Sequence, residues 1–166
     1  MMASVNAHRI IDQWATIVDN GAGRGEQIYT LLDEELKKVN IPNVRTFRVG
    51  VKAGMPSNER DFFIIRHTGL REYSMYVHAH DVGGYLNCGW FLTVNPGFFK
   101  RRFSKRLTGN PFYLSQKLGI FSQQDLSAWT HIVHRIFKNL VTDLMHDMDM
   151  DIAGMNTTSE GFLSVW

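Results

Sequence analysis

A single cysteine, Cys88, stands among 166 residues, so no disulfide can form within the chain. No apolar run approaches the ~20 residues that a bilayer-spanning helix needs. The first residues show no basic-then-apolar leader pattern. These absences lead us to expect a cytoplasmic protein in a reducing compartment, where structural disulfides are rare. The net charge is only +2 and 44% of the residues are hydrophobic, which excludes disorder for the bulk of the chain. Neither an internal repeat nor a low-complexity tract is present. The most telling absence is local. Between Val82 and Gln124 there is no Asp or Glu, while Lys100, Arg101, Arg102, Lys105, Arg106 and Lys117 carry positive charge. Acidic residues outnumber basic ones after that stretch, and the two signs balance before it. Blocks of one sign mark surfaces that meet charged partners or each other.

What is present reads as one α+β domain. Ile10, Ile11, Trp14, Ile17 and Val18 recur at helical spacing and predict a helix over residues 4–18. A connector of alternating glycines, Gly21, Gly23 and Gly25, leads to a second helix whose stripe is Ile28, Leu31, Leu32, Leu36 and Val39, ended by Pro42. The period then changes to two. Phe47, Val49 and Val51 alternate with Arg48, Gly50 and Lys52, and further strands follow over 62–67, 72–81 and 85–94. A two-residue Gly83-Gly84 loop would pair Ala79 with Cys88, Val77 with Trp90 and Met75 with Leu92 on a core face. The other face then receives His80 opposite Asn87, His78 opposite Gly89 and Tyr76 opposite Phe91. A long helix starts at the capping-box-like Ser122-Gln123-Gln124-Asp125. Its stripe is Leu126, Trp129, Val133, Ile136, Phe137, Leu140 and Leu144.

The expected architecture is thus a two-layer α+β domain over residues 1–146: a four-stranded antiparallel meander, two N-terminal helices and one long C-terminal helix. Residues 96–121 form an irregular basic–aromatic segment within it. Residues 147–166 form a tail, acidic at Asp147, Asp149 and Asp151 and then apolar.

Three groups of residues carry candidate chemistry. In the basic segment, Lys100, Arg101, Arg102, Lys105 and Arg106 interleave with Phe98, Phe99, Phe103 and Leu107. On a helix Phe99, Phe103 and Leu107 would stand at i, i+4 and i+8 with cations around them. That arrangement suits an anionic membrane surface or single-stranded nucleic acid, whose bases stack on aromatics. The bland reading is a basic loop anchored by its phenylalanines, its cations covered by the tail acids.

The second group is His78-Ala79-His80. Strand alternation puts both imidazoles on one face, where they could bind a metal or act as acid–base groups. A two-residue Thr68-Gly69 turn would place Glu59 across from His78 and Asp61 across from Tyr76, joining two histidines to carboxylates. His131 and His134 flank the apolar stripe of the long helix and read as its solvated edge. The run Asp147-x-Asp149-x-Asp151 opens like a calcium loop, but Ile152 and Thr158 stand where the turn glycine and the bidentate glutamate belong.

The third group is Cys88 alone. The helix–four-strand–helix order resembles that of ubiquitin-conjugating domains, which also use one cysteine. No His-Pro-Asn triplet is present, and the hairpin register turns Cys88 toward the core. An inert buried thiol is the expectation. The reading of the whole is a non-enzymatic binding module or accessory subunit of a larger assembly, with no cofactor. A protein partner comes first, then an anionic membrane or single-stranded nucleic acid. The rival is a small enzyme using His78 and His80 with Glu59 or Asp61.

Overall fold

The computed structural model describes residues 9–52, 59–111, 118–161 and 163. In chain order the elements are β1 (Arg9–Val18), α1 (Gly25–Val39), β2 (Val44–Lys52), β3 (Glu59–His67), β4 (Tyr73–Val82), β5 (Tyr85–Val94), α2 (Phe98–Thr108), α3 (Ile120–Asp147) and β6 (Glu160–Gly161). The strands form one antiparallel sheet in the order β2-β3-β4-β5-β1-β6. The α+β class and the long C-terminal helix agree with the sequence reading, but the sheet has six strands rather than four.

The first difference is at the N-terminal segment, where a strand replaces the expected helix. Half of the ten β1 residues are β-branched (Ile10, Ile11, Thr16, Ile17, Val18) and so are stiff in a way that suits a pleated strand. Their helical-looking spacing comes from a bulge. Ile10 pairs with Thr93 and Asp12 with Leu92, so Ile11 is an extra residue that breaks the alternation. Trp14 and Val18 then face the core, while Ile17 stays half exposed. With a strand in first position, the resemblance in element order to ubiquitin-conjugating domains lapses.

Helix α1 buries Ile28, Tyr29, Leu32 and Leu36. Asn40, not Pro42, closes it: Asn40 takes a left-handed conformation (φ 49) and donates its N–H to the Leu36 carbonyl. The β4–β5 hairpin has the expected register on both faces, turning through Gly83 at φ 63. The β3–β4 register differs. Phe63 pairs with Val77 and Ile65 with Met75, because the connection is a longer turn tied by Leu70 N–H to the His67 carbonyl and Tyr73 N–H to the Leu70 carbonyl. Buried Leu70 anchors this turn. Glu59 is therefore not set across from His78, nor Asp61 across from Tyr76.

Helices α1 and α3 pack against one sheet face, around Trp14, Met75, Val77, Trp90 and Leu92. Helix α3 starts at Ile120 behind an extended Gly119, earlier than the Ser122 start expected. It buries Trp129, Val133 and Phe137, and also Thr130 and His134. His134 is thus in the core rather than on a solvated edge. Its Nδ1 accepts the Trp90 indole N–H at 3.1 Å, which leaves the proton on Nε2 to bond the Thr157 carbonyl at 3.0 Å.

The C-terminal segment docks on the sheet. The Trp14 indole N–H donates to the Asn156 carbonyl at 2.7 Å, and Leu163 N–H donates to the buried Asp12 carboxylate at 2.7 Å. Between these anchors β6 pairs with Asp12 and Gln13. Gly161 (φ 150) lies so close to β1 that a Cβ there would collide with the Ile11 carbonyl and the Asp12 backbone. Only glycine permits this approach.

Candidate functional site

The segment expected to be irregular is a helix over Phe98–Thr108. Gly97 leads in with extended backbone, and Gly109, left-handed at φ 73, ends the helix by donating its N–H to the Lys105 carbonyl at 2.9 Å. Lys100 ties α2 to the rest of the domain, and Ser104 closes the end of the helix on itself. Lys100 Nζ reaches both Glu72 carboxylate oxygens at 3.0 Å, at the β3–β4 turn. The buried Ser104 hydroxyl donates to the Asn110 carbonyl at 2.7 Å.

The opposite side of α2 is open. Phe103 is 57% exposed and Leu107, one turn on, is 61% exposed. Arg102 and Arg106, also one turn apart, run beside them, and Lys105 is exposed as well. Arg102, Lys105 and Arg106 make no ion pair among the described residues. Arg101 is on the same helix, but its side chain, like those of Phe98 and Phe99, is outside the described set. The tail acids Asp147, Asp149 and Asp151 make no ion pair with α2 among the described residues. Asp151 instead accepts the Ala153 N–H at 2.9 Å.

The two histidines of β4 lie on the sheet face opposite α1 and α3. His78 is 4% exposed and stacks on Phe91 (centroids 5.1 Å apart, planes at 19°), with Phe62 edge-on at 6.3 Å and His80 at 5.3 Å. Gly89 makes this possible, since a Cβ there would come within 2.7 Å of His78 Nε2. The Asn87 backbone lies within hydrogen-bonding reach of the His78 ring, while His80 Nδ1 has no hydrogen-bond partner among the described residues. Burial pushes the His78 pKa down to about 4, helped by the neighbouring His80, so the ring is neutral at pH 7. Burial and nearby Arg60 lower His80 as well.

Asp61 does not stand across from either ring, although it lines one cleft with His80. The Asp61 side chain faces the helix side, 3.4 Å from Arg48, whose guanidinium also stacks over Tyr29. The Glu59 side chain is outside the described residues. Among the described residues no three His, Cys, Asp or Glu side chains come together as a metal site.

Sequence reasoning gave no role to Tyr29. Its hydroxyl accepts the Ala79 N–H at 2.8 Å and donates to the Asp61 carbonyl at 3.0 Å, standing where a direct β3–β4 ladder bond would otherwise lie. The strands part at this wedge, and a cleft of about 300 Å³ opens, lined by Tyr29, Arg60, Asp61, His80 and Asp81. The glycine connector comes to the same place. Gly23 N–H points at both Asp81 carboxylate oxygens, 3.0 Å away, so the chain's own carboxylate takes the position an external anion would take in such a loop.

Cys88 is fully buried and pairs with Ala79 across the hairpin, with burial raising its pKa to about 12. A thiol that neither ionises nor meets solvent is no nucleophile. We expect Cys88 to stay unlabelled by a thiol reagent in the native protein and to react once urea unfolds it. Rapid native labelling would restore the thiol-enzyme reading.

No protein-family model matches the chain, and neither a curated protein nor a solved structure does. No helix of the described residues is long and apolar enough to cross a membrane.

Proposed function

We propose that this chain is a non-enzymatic binding module, an accessory subunit of a larger assembly, that docks an anionic partner on the open side of α2. The observation that carries this reading is the pairing of exposed Phe103 and Leu107 with Arg102, Lys105 and Arg106, cations that make no ion pair among the described residues. Charge without a local counter-charge draws an opposite surface, and exposed apolar side chains gain by leaving water once contact is made. A cytoplasmic location belongs to the same reading, supported by the single, buried cysteine. The rival enzyme has a weaker basis. The adjoining rings of His78 and His80 support it, and His80 shares a cleft with Asp61 and Asp81, but the Asp61 carboxylate turns to Arg48 and the cation Arg60 bears on both rings.

Charge reversal tests the proposal. The full chain is titrated at low ionic strength against poly-glutamate, a single-stranded oligonucleotide and phosphatidylglycerol vesicles. We expect salt-sensitive binding to at least one of these, lost in Arg102→Glu/Arg106→Glu while the urea midpoint stays nearly unchanged. Wild type binding none of them, or the double variant binding as well as wild type, would end this reading.

A further inference from the structure

We infer that the anionic surface met by α2 is a lipid bilayer with acidic headgroups, an inference that rests on the binding-module reading above. Its basis is a coincidence of two independent properties. The four most exposed large hydrophobic side chains among the described residues are Phe103, Leu107, Ile120 (74%) and Phe121 (81%). All four fall in the one stretch of sequence, Val82 to Gln124, that has no acidic residue. An acidic leaflet repels carboxylates, attracts Lys and Arg, and accepts aliphatic and aromatic side chains at the headgroup–acyl boundary. It therefore selects for both properties at once.

The other two anionic partners select for only part of this pattern. Single-stranded nucleic acid binds cations beside π-faces on which bases stack. Leu107 and Ile120 offer no such face, yet Leu107 is more exposed than Phe103 next to it. An acidic protein could cover the same apolar side chains, but it repels carboxylates only within the patch it touches, whereas a membrane plane does so along every residue that faces it. The arrangement on α2 also fits a membrane plane. Phe103 and Leu107 point outward side by side, and Arg102 and Arg106 flank them on long stems that can reach back to phosphates while the apolar pair enters. Lys100 is already committed to Glu72, so it fixes the helix to the domain rather than to the bilayer.

The test separates the lipid inference from the general one. Co-sedimentation of the full chain is measured with vesicles of phosphatidylcholine alone and with about one-third phosphatidylglycerol. The same protein is titrated against the oligonucleotide and poly-glutamate. The decisive variants keep every charge: Phe103→Ser/Leu107→Ser and, separately, Ile120→Ser/Phe121→Ser. We expect binding to acidic vesicles only, weakened by about tenfold or more in Phe103→Ser/Leu107→Ser, as loss of two inserted side chains implies. Ile120→Ser/Phe121→Ser should weaken it too. If both serine variants bind acidic vesicles as wild type does, or if wild type prefers the oligonucleotide or poly-glutamate, the lipid inference fails while the binding-module reading stands. If wild type binds no anionic probe, both fail.

Discussion

Replacing Phe137 by alanine is expected to lower the unfolding free energy by about 3–5 kcal/mol, the range for emptying a well-packed aromatic site. Phe137 is fully buried in the middle of α3 and meets Trp14 edge-on, with centroids 5.9 Å apart. Trp14 in turn holds the C-terminal segment through Asn156, so the cavity would loosen an anchor as well as remove contacts. A domain of this size has only about 5–15 kcal/mol of net stability, so one side chain decides much of it. Urea denaturation measures the effect. Phe121→Ala, at a position 81% exposed on the same helix, is the control and should shift the midpoint little. An unchanged midpoint in Phe137→Ala would mean that α3 is not seated on the sheet as described.

The second large effect is acid destabilisation through His78. The folded protein holds this ring neutral to about pH 4, against an ordinary value near 6.5. Above pH ~6.5 both folded and unfolded chains carry it uncharged, and it makes no difference to stability. Below that, the unfolded chain takes up a proton that the folded chain refuses, so stability falls as the pH drops toward 4 and then levels off. The shift corresponds to about 3 kcal/mol over that window, with little screening because the ring is 4% exposed. His134 acts in the same direction. Burial lowers its pKa, and a proton on Nδ1 would face the Trp90 N–H donor. Urea unfolding at pH 7 and near pH 4, in wild type and in His78→Phe, isolates the His78 share. The variant should lose about 3 kcal/mol less between the two pH values, and parallel losses would mean that His78 is not held neutral.

The elements legible in the sequence are those whose signals are local. The β4–β5 register could be read because a two-residue glycine turn fixes pairing and the side chains then sort cleanly by face. Helix α1 could be read because Ile28, Leu32 and Leu36 of its stripe are buried, although Val39 is half exposed and Tyr29 joins the core instead. The basic block of α2 was legible as charge, though its helix was hidden by the lack of a buried stripe; of its described side chains only Ser104 is buried. Strand β1 was not legible, because the bulge at Ile11 turned an alternating pattern into a helical one. The β3–β4 offset was missed because a Thr-Gly pair suggests a tight turn, while buried Leu70 makes a longer one. His134 looked like a surface residue because both of its partners, Trp90 and Thr157, are distant in sequence. Tyr29 was passed over for the same reason, since it bonds to the backbone of two strands that its own helix does not adjoin in the chain.

The place of β1 in the sheet sets an order of assembly. The meander from β2 to β5 closes one short turn at a time, while β1 has to wait for β5, whose first residue is Tyr85. Closing so long a loop carries a larger entropic cost than any hairpin in the meander, and such non-local pairing slows folding. The β6 segment comes later still, since among the described residues it pairs with β1 alone. During synthesis, then, Ile10 to Val18 are out of the ribosome long before their partner exists. The nascent chain carries an unpaired, β-branched strand until the meander offers it an edge.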